Sequence, residues 1–132
     1  MTHRIAEIKG LDEAIKDKLG ADGIVTIEDL LAQTDTRAEH DVLAKKLGVD
    51  VRELTEWKNR ADLMRIDGVG REFANLLEEG GVDSCKELQH RVPENLHATL
   101  TQVNQEKNVA QRTPGLEQIR DWIAQAKTLA GA

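Results

Sequence analysis

The sequence predicts an all-α protein made of two diverged copies of one helical unit, and three observations carry that prediction. The apolar and glycine skeleton of residues 8–31 returns at residues 66–89. A capping side chain stands three residues before an acid at four places. Apolar residues recur at helical spacing, and no segment sustains the alternation of a strand.

The repeat is read by sliding the chain by 58 residues. Ile8, Gly10 and Leu11 then fall on Ile66, Gly68 and Val69, Ile15 falls on Phe73, and Leu19 on Leu77. Gly23 and Ile24 fall on Gly81 and Val82, Thr26 and Ile27 on Ser84 and Cys85, and Leu30 on Leu88. No gap is needed, so the two stretches are expected to share one conformation in register. Trp57 and Trp122 extend the match at an offset of 65, with the seven extra residues expected within Gln105–Gly115. The implied boundaries are residues 1–65 and 66–132, the two halves packed as one joint globular unit.

Helix starts come first in the element map. Thr26, Thr36, Asp50 and Ser84 precede Asp29, Glu39, Glu53 and Glu87 by three residues. At that spacing the first side chain accepts from an orphan amide, and the acid favours the positive helix end. Pro93 and Pro114 read as first-turn prolines. Val51, Leu54, Trp57, Ala61 and Met64 form one apolar stripe, and Leu96, Leu100 and Val103 a second. Leu116, Ile119, Trp122, Ile123 and Ala126 form a third. Gly20, Gly23, Gly48, Gly80 and Gly81 stand where a left-handed residue would close a helix. Nine helices are predicted, over 2–8, 13–20, 26–33, 36–47, 50–65, 71–79, 84–91, 93–105 and 115–129.

Composition narrows the function classes. Apolar residues at 39% and charged residues at 32% suit a small soluble helical domain with an aliphatic core, since Phe73, Trp57 and Trp122 are the only aromatics. No apolar run approaches the roughly 20 residues that span a bilayer, and the N-terminal segment lacks a secretory pattern. The lone Cys85 fits a reducing compartment, so a cytoplasmic location without membrane contact is expected. Cys85 aligns with Ile27, which favours a buried apolar role over a reactive thiol. His3, His40, His90 and His97 are scattered, and no HExxH or zinc-spaced cysteine pair occurs, so no metal is expected. No nucleophile elbow or Gly-Lys-Thr/Ser loop is present either. A non-enzymatic protein without a cofactor is the expectation. The formal net charge of −6 weighs against broad nucleic-acid affinity but leaves room for a local patch. Lys58–Arg71 holds four bases against two acids, whereas residues 1–35 hold four against eight.

One segment carries a mechanism. Met64–Leu77 joins two helical patterns through Gly68-Val69-Gly70. Two glycines permit a tight reversal, Val69 can plug the gap between helices, and the next helix begins with outward-facing amides that attract anions. On Ile66, Gly68, Val69, Gly70, Ala74 and Leu77 the chain resembles the helix-hairpin-helix family, and Gly81-Val82-Asp83-Ser84 resembles that family's turn into the following helix. Nearly the whole chain also resembles a bacterial family of tandem helix-hairpin-helix proteins with no assigned function. The ADLMRI…GVG and LEQIRDWI segments carry that likeness.

The resemblance implies two tandem helix-hairpin-helix repeats and a hairpin whose amides hold a DNA phosphate without reading bases, sometimes with a monovalent cation on its carbonyls. The residues so implied are Gly68, Val69, Gly70 and Arg71, with Arg65 nearby. The first copy departs from the pattern, because Asp12 stands where the second glycine should be, and a carboxylate there repels phosphate. Some glycosylases of this kind carry a catalytic Asp beyond the hairpin, but Asp83 lies too near it and inside the repeat's turn. Two functions stay open: a module contacting the nucleic-acid backbone through the second hairpin, and a protein-interaction or scaffold domain that has lost that contact. The oligomeric state is left open as well.

Overall fold

Side chains decide where most helices begin. The Thr26, Thr36 and Ser84 hydroxyls each accept from the amide three residues on, at 3.1 Å, and Asp50 accepts from Arg52 N at 2.8 Å. The computed structural model describes residues 3–130. A 3₁₀ turn, Ile5–Glu7, is followed by α1 (Glu13–Ala21), α2 (Ile27–Ala32), α3 (Arg37–Leu47) and α4 (Val51–Leu63). Then come α5 (Arg71–Glu79), α6 (Cys85–Leu88), α7 (Pro93–Lys107) and α8 (Leu116–Ala130). The described residues form no strand, only an isolated bridge between Arg4 and Thr26.

The chain divides into two compact units, Met1–Arg65 and Ile66–Ala132. In the first, α4 packs on α2 and α3, and α3 packs on α1. In the second, α8 packs on α6 and α7, and α7 packs on α5. Both ends of α5 stand 58 residues after those of α1. Leu19, Ile27, Leu30 and Leu54 are fully buried in the first unit, as are Leu77, Cys85, Leu88 and Ile119 at the matching places in the second. Trp57 is 3% exposed and Trp122 1%. Each tryptophan ties the last helix of its unit to the turn that precedes the first.

Several expectations need correction. The predicted helix over 2–8 is the short turn Ile5–Glu7, because the neighbouring residues pair instead with 25–27: Ile5 donates to Val25 O and Ile27 to His3 O. Residue 2 lies outside the described residues. Pro114 is not in a first turn. Ile119 N bonds to Gly115 O, so Gly115 is the residue before the helix and Pro114 precedes it. Gly20 lies inside α1, and Gly80 closes α5 at φ −84 rather than left-handed. The reason for Gly80 is space, since a β-carbon there would stand 2.7 Å from Leu100 Cδ2. Left-handed closure falls to Gly23, Gly48 and Gly81, as expected, and, unforeseen, to Asn108. The seven extra residues are spread: α6 has four residues against six in α2, α7 has 15 against 11 in α3, and the loop before α8 runs over 108–115 where its counterpart is 48–50.

Replacing Trp122 by Ala removes the largest fully buried side chain of the second unit. The expected loss is about 3–5 kcal/mol by chemical denaturation. A loss below about 1 kcal/mol would show that α8 does not depend on this residue.

Candidate functional site

The site is the turn between Ile66 and α5. Val69 N donates to Ile66 O at 3.0 Å, and Ala74 N donates to Gly70 O at 2.9 Å. Val69 is fully buried and fills the space beneath the turn. Gly68 adopts φ +95, a region that L side chains rarely enter. A β-carbon on Gly68 would also stand 3.1 Å from the Trp122 indole nitrogen. Gly70 is different. At φ −99 and ψ −161 it is extended backbone open to any residue, so the tight reversal needs one glycine and not two.

The same turn in the first unit is built alike. Gly10 adopts φ +98, and its β-carbon would stand 3.1 Å from the indole nitrogen of Trp57. One helical turn past each tryptophan, a polar side chain holds the carbonyl before the glycine. Arg60 Nη1 donates to Lys9 O at 2.8 Å, and Gln125 Nε2 donates to Asp67 O at 3.2 Å. Gln125 also accepts from Asp67 N at 2.9 Å, which an arginine cannot do. Glu56 and Asp121 stand behind these side chains at matching positions.

The two turns differ at the residue that begins the helix. Asp12 caps α1, its Oδ1 accepting from Ile15 N at 2.9 Å. Gly70 offers no side chain to α5, and among the described residues no side chain accepts from the first-turn amides of Arg71, Glu72 and Phe73. Asp12 is thus more than a repelling charge, because it occupies from within the place where an external anion would sit.

Of the four residues at this turn, Gly68 and Arg71 are exposed, Gly70 is half-buried and Val69 is buried. Arg71 is exposed and has no ion-pair partner among the described residues. Arg65 is the last residue of the first unit and is ion-paired with Asp62, its Nε buried without a hydrogen-bond partner. The basic run Lys58–Arg71 is therefore not one open patch. Lys58 is bound to Thr34 O, Arg60 to Lys9 O and Arg65 to Asp62. Gln125 and Arg112 went unnoticed in the sequence. Arg112, from the longer 108–115 loop, lies over the Phe73 ring at 5.1 Å, and Phe73 packs on Trp122 with ring centroids 5.2 Å apart. This places a second guanidinium beside the first turn of α5. Asp67 and Glu72 flank the same turn and oppose it. Each unit carries a formal −3, from 11 bases and 14 acids in the first and seven and ten in the second, so any anion contact here is local.

Among the described residues no group of histidine, cysteine and acid side chains could hold a metal ion, and no helix is long and apolar enough to cross a membrane. Cys85 is 1% exposed.

A family model described as Domain of unknown function (DUF4332) matches residues 9–129. No curated protein and no solved structure matches the chain.

Two substitutions separate the roles of the glycines. Gly68→Ala is expected to cost about 2 kcal/mol, from the positive φ and the indole contact. Gly70→Asp is expected to stabilise by a few tenths of a kcal/mol, about 0.3, because it installs the cap that Asp12 provides to α1. Equal effects of the two in urea denaturation would contradict this assignment.

Proposed function

Since the chain belongs to the family described as Domain of unknown function (DUF4332), a name that assigns no activity, we propose a function from the geometry. It is a non-enzymatic binding module of two tandem helix-hairpin-helix repeats. Its second hairpin contacts the phosphate backbone of nucleic acid without reading bases. The observation that supports this most is the missing cap at Gly70, set against the cap that Asp12 supplies in the first unit. Uncapped amides at the positive end of a nine-residue helix suit a phosphate oxygen. Arg71 supplies a charge beside them, and Arg112 a second. Phosphate contacts position a duplex and carry no sequence information, so the binding is indifferent to sequence.

A second reading is a protein-interaction or scaffold domain that keeps the fold without the phosphate contact. The net charge of −6 and the self-capped first hairpin favour it. The two separate cleanly in a titration with random duplex and single-stranded DNA at about 50 mM salt. Weak binding is expected, with a log–log salt slope of roughly −2 to −4, the mark of two to four neutralised phosphates. Arg71→Glu and Gly70→Asp are expected to abolish it, the latter while raising stability, and Lys9→Glu to leave it intact. No binding at that salt would leave the scaffold reading as the better one. Binding that survives Arg71→Glu and fails with Lys9→Glu would move the site to the first hairpin.

A further inference from the structure

The first unit holds a polar feature that neither hairpin uses. Residues 48–50 turn the chain from α3 back along α4, and an open groove of about 750 Å³ runs between these helices. Arg37, His40 and Asp41 line it from α3, and Thr55, Lys58 and Asn59 from α4.

The second unit shows that this helix pairing does not need polar residues. At the places matching His40 and Lys58 it has Leu96 and Ile123, both buried. At the place of Thr55 it has Arg120, which bridges to Glu94 on α7 at 2.8 Å. There the two helices are joined by apolar contact and one surface ion pair. In the first unit the same pairing keeps a buried histidine, 7% exposed, which is costly unless its nitrogens are bonded.

Those polar groups are held in place. Thr55 Oγ1 donates its one hydrogen to Val51 O at 2.9 Å, so it accepts from His40 Nε2 at 3.2 Å. The neutral ring then presents Nδ1 as a bare acceptor, with the Asp41 carboxylate 4.0 Å away and beyond hydrogen-bond reach. Burial, and then the charge of Lys58, lower the His40 pKa and favour this neutral form. Lys58 donates to Thr34 O at 2.8 Å and keeps two ammonium hydrogens for another acceptor. Arg37, in the first turn of α3, has no ion-pair partner among the described residues.

We propose that this groove binds a small phosphorylated sugar or polyol. Arg37 and Lys58 supply the charge for a phosphate. His40 Nδ1, the Asp41 carboxylate and the Asn59 amide supply partners for hydroxyl groups. No phenylalanine, tyrosine or tryptophan lines the groove and the His40 ring is buried, so the groove offers no broad face for a nucleobase. Its volume lies in the range of small-molecule sites and exceeds what a free phosphate fills. The site is independent of the hairpin function.

The test is an NMR titration of the full chain at low salt with glucose 6-phosphate, ribose 5-phosphate and glycerol 3-phosphate, each beside inorganic phosphate and the unphosphorylated parent. Saturable shifts at Arg37, His40 and Asn59 are expected with at least one ester below about 10 mM, and affinities several-fold weaker with either fragment alone. Arg37→Gln is expected to weaken binding about tenfold. The double variant His40→Leu with Lys58→Ile installs the residues of the second unit, so it is expected to keep the fold and lose the shifts. Arg71→Glu is expected to leave them unchanged. Absence of saturable shifts with all three esters, or shifts that persist in the folded double variant, would overturn the site. Free phosphate binding as tightly as the esters would overturn the sugar or polyol assignment.

Discussion

In each unit a tryptophan from the last helix lies against a glycine at positive φ, its indole nitrogen 3.1 Å from where a β-carbon would stand. That approach sets the distance between the turn and the final helix, and the rest of the unit follows from it. The carbonyl before the glycine is brought within reach of Arg60 in one unit and Gln125 in the other. The turn then delivers the chain into α1 or α5, whose leucines Leu19 and Leu77 are fully buried. Fully burying a leucine is worth roughly 1.5–3 kcal/mol, so a turn that misdirected the helix would forfeit more than its own contacts.

With the scaffold so alike, the differences between the units stand out as chemistry. The first unit caps its own first helix with Asp12 and leaves a polar groove between α3 and α4. The second has no side-chain cap on α5, and at the places matching the groove's polar residues it has Leu96, Ile123 and the Arg120–Glu94 pair. A fold does not fix an activity. Here the two units share backbone features and differ at the side chains that could meet a ligand, and the two proposals occupy different units for that reason.

Much of this architecture was readable in the sequence, because apolar residues, glycines and caps act locally. The 58-residue offset located α1 against α5 at both ends, and the Thr26, Thr36 and Ser84 caps stand where their spacing put them. What escaped the reading depends on contacts between distant residues. Residues 3–5 were drawn into pairing with 25–27, which no helical pattern signals. The role of Gly80 follows from Leu100, twenty residues on. Of the candidate site, the turn residues were visible from the glycine spacing, but the basic run misled, since Lys58, Arg60 and Arg65 are bound by groups of the first unit. Arg112 was hidden by its place in a longer loop. Gln125 could have been found, because the 65-residue offset that pairs the tryptophans also pairs it with Arg60.

The dependence of each unit on the glycine–tryptophan contact is tested most directly by a double-mutant cycle in the second. Gly68→Ala is measured by chemical denaturation in the native background and again with Trp122→Phe, whose smaller ring withdraws the indole edge. If the contact organises the unit, the cost of the alanine falls by at least about 0.5 kcal/mol in the phenylalanine background, leaving the torsional part. Costs that add within about 0.3 kcal/mol would show that the glycine serves its backbone torsion alone and that the tryptophan does not position the turn.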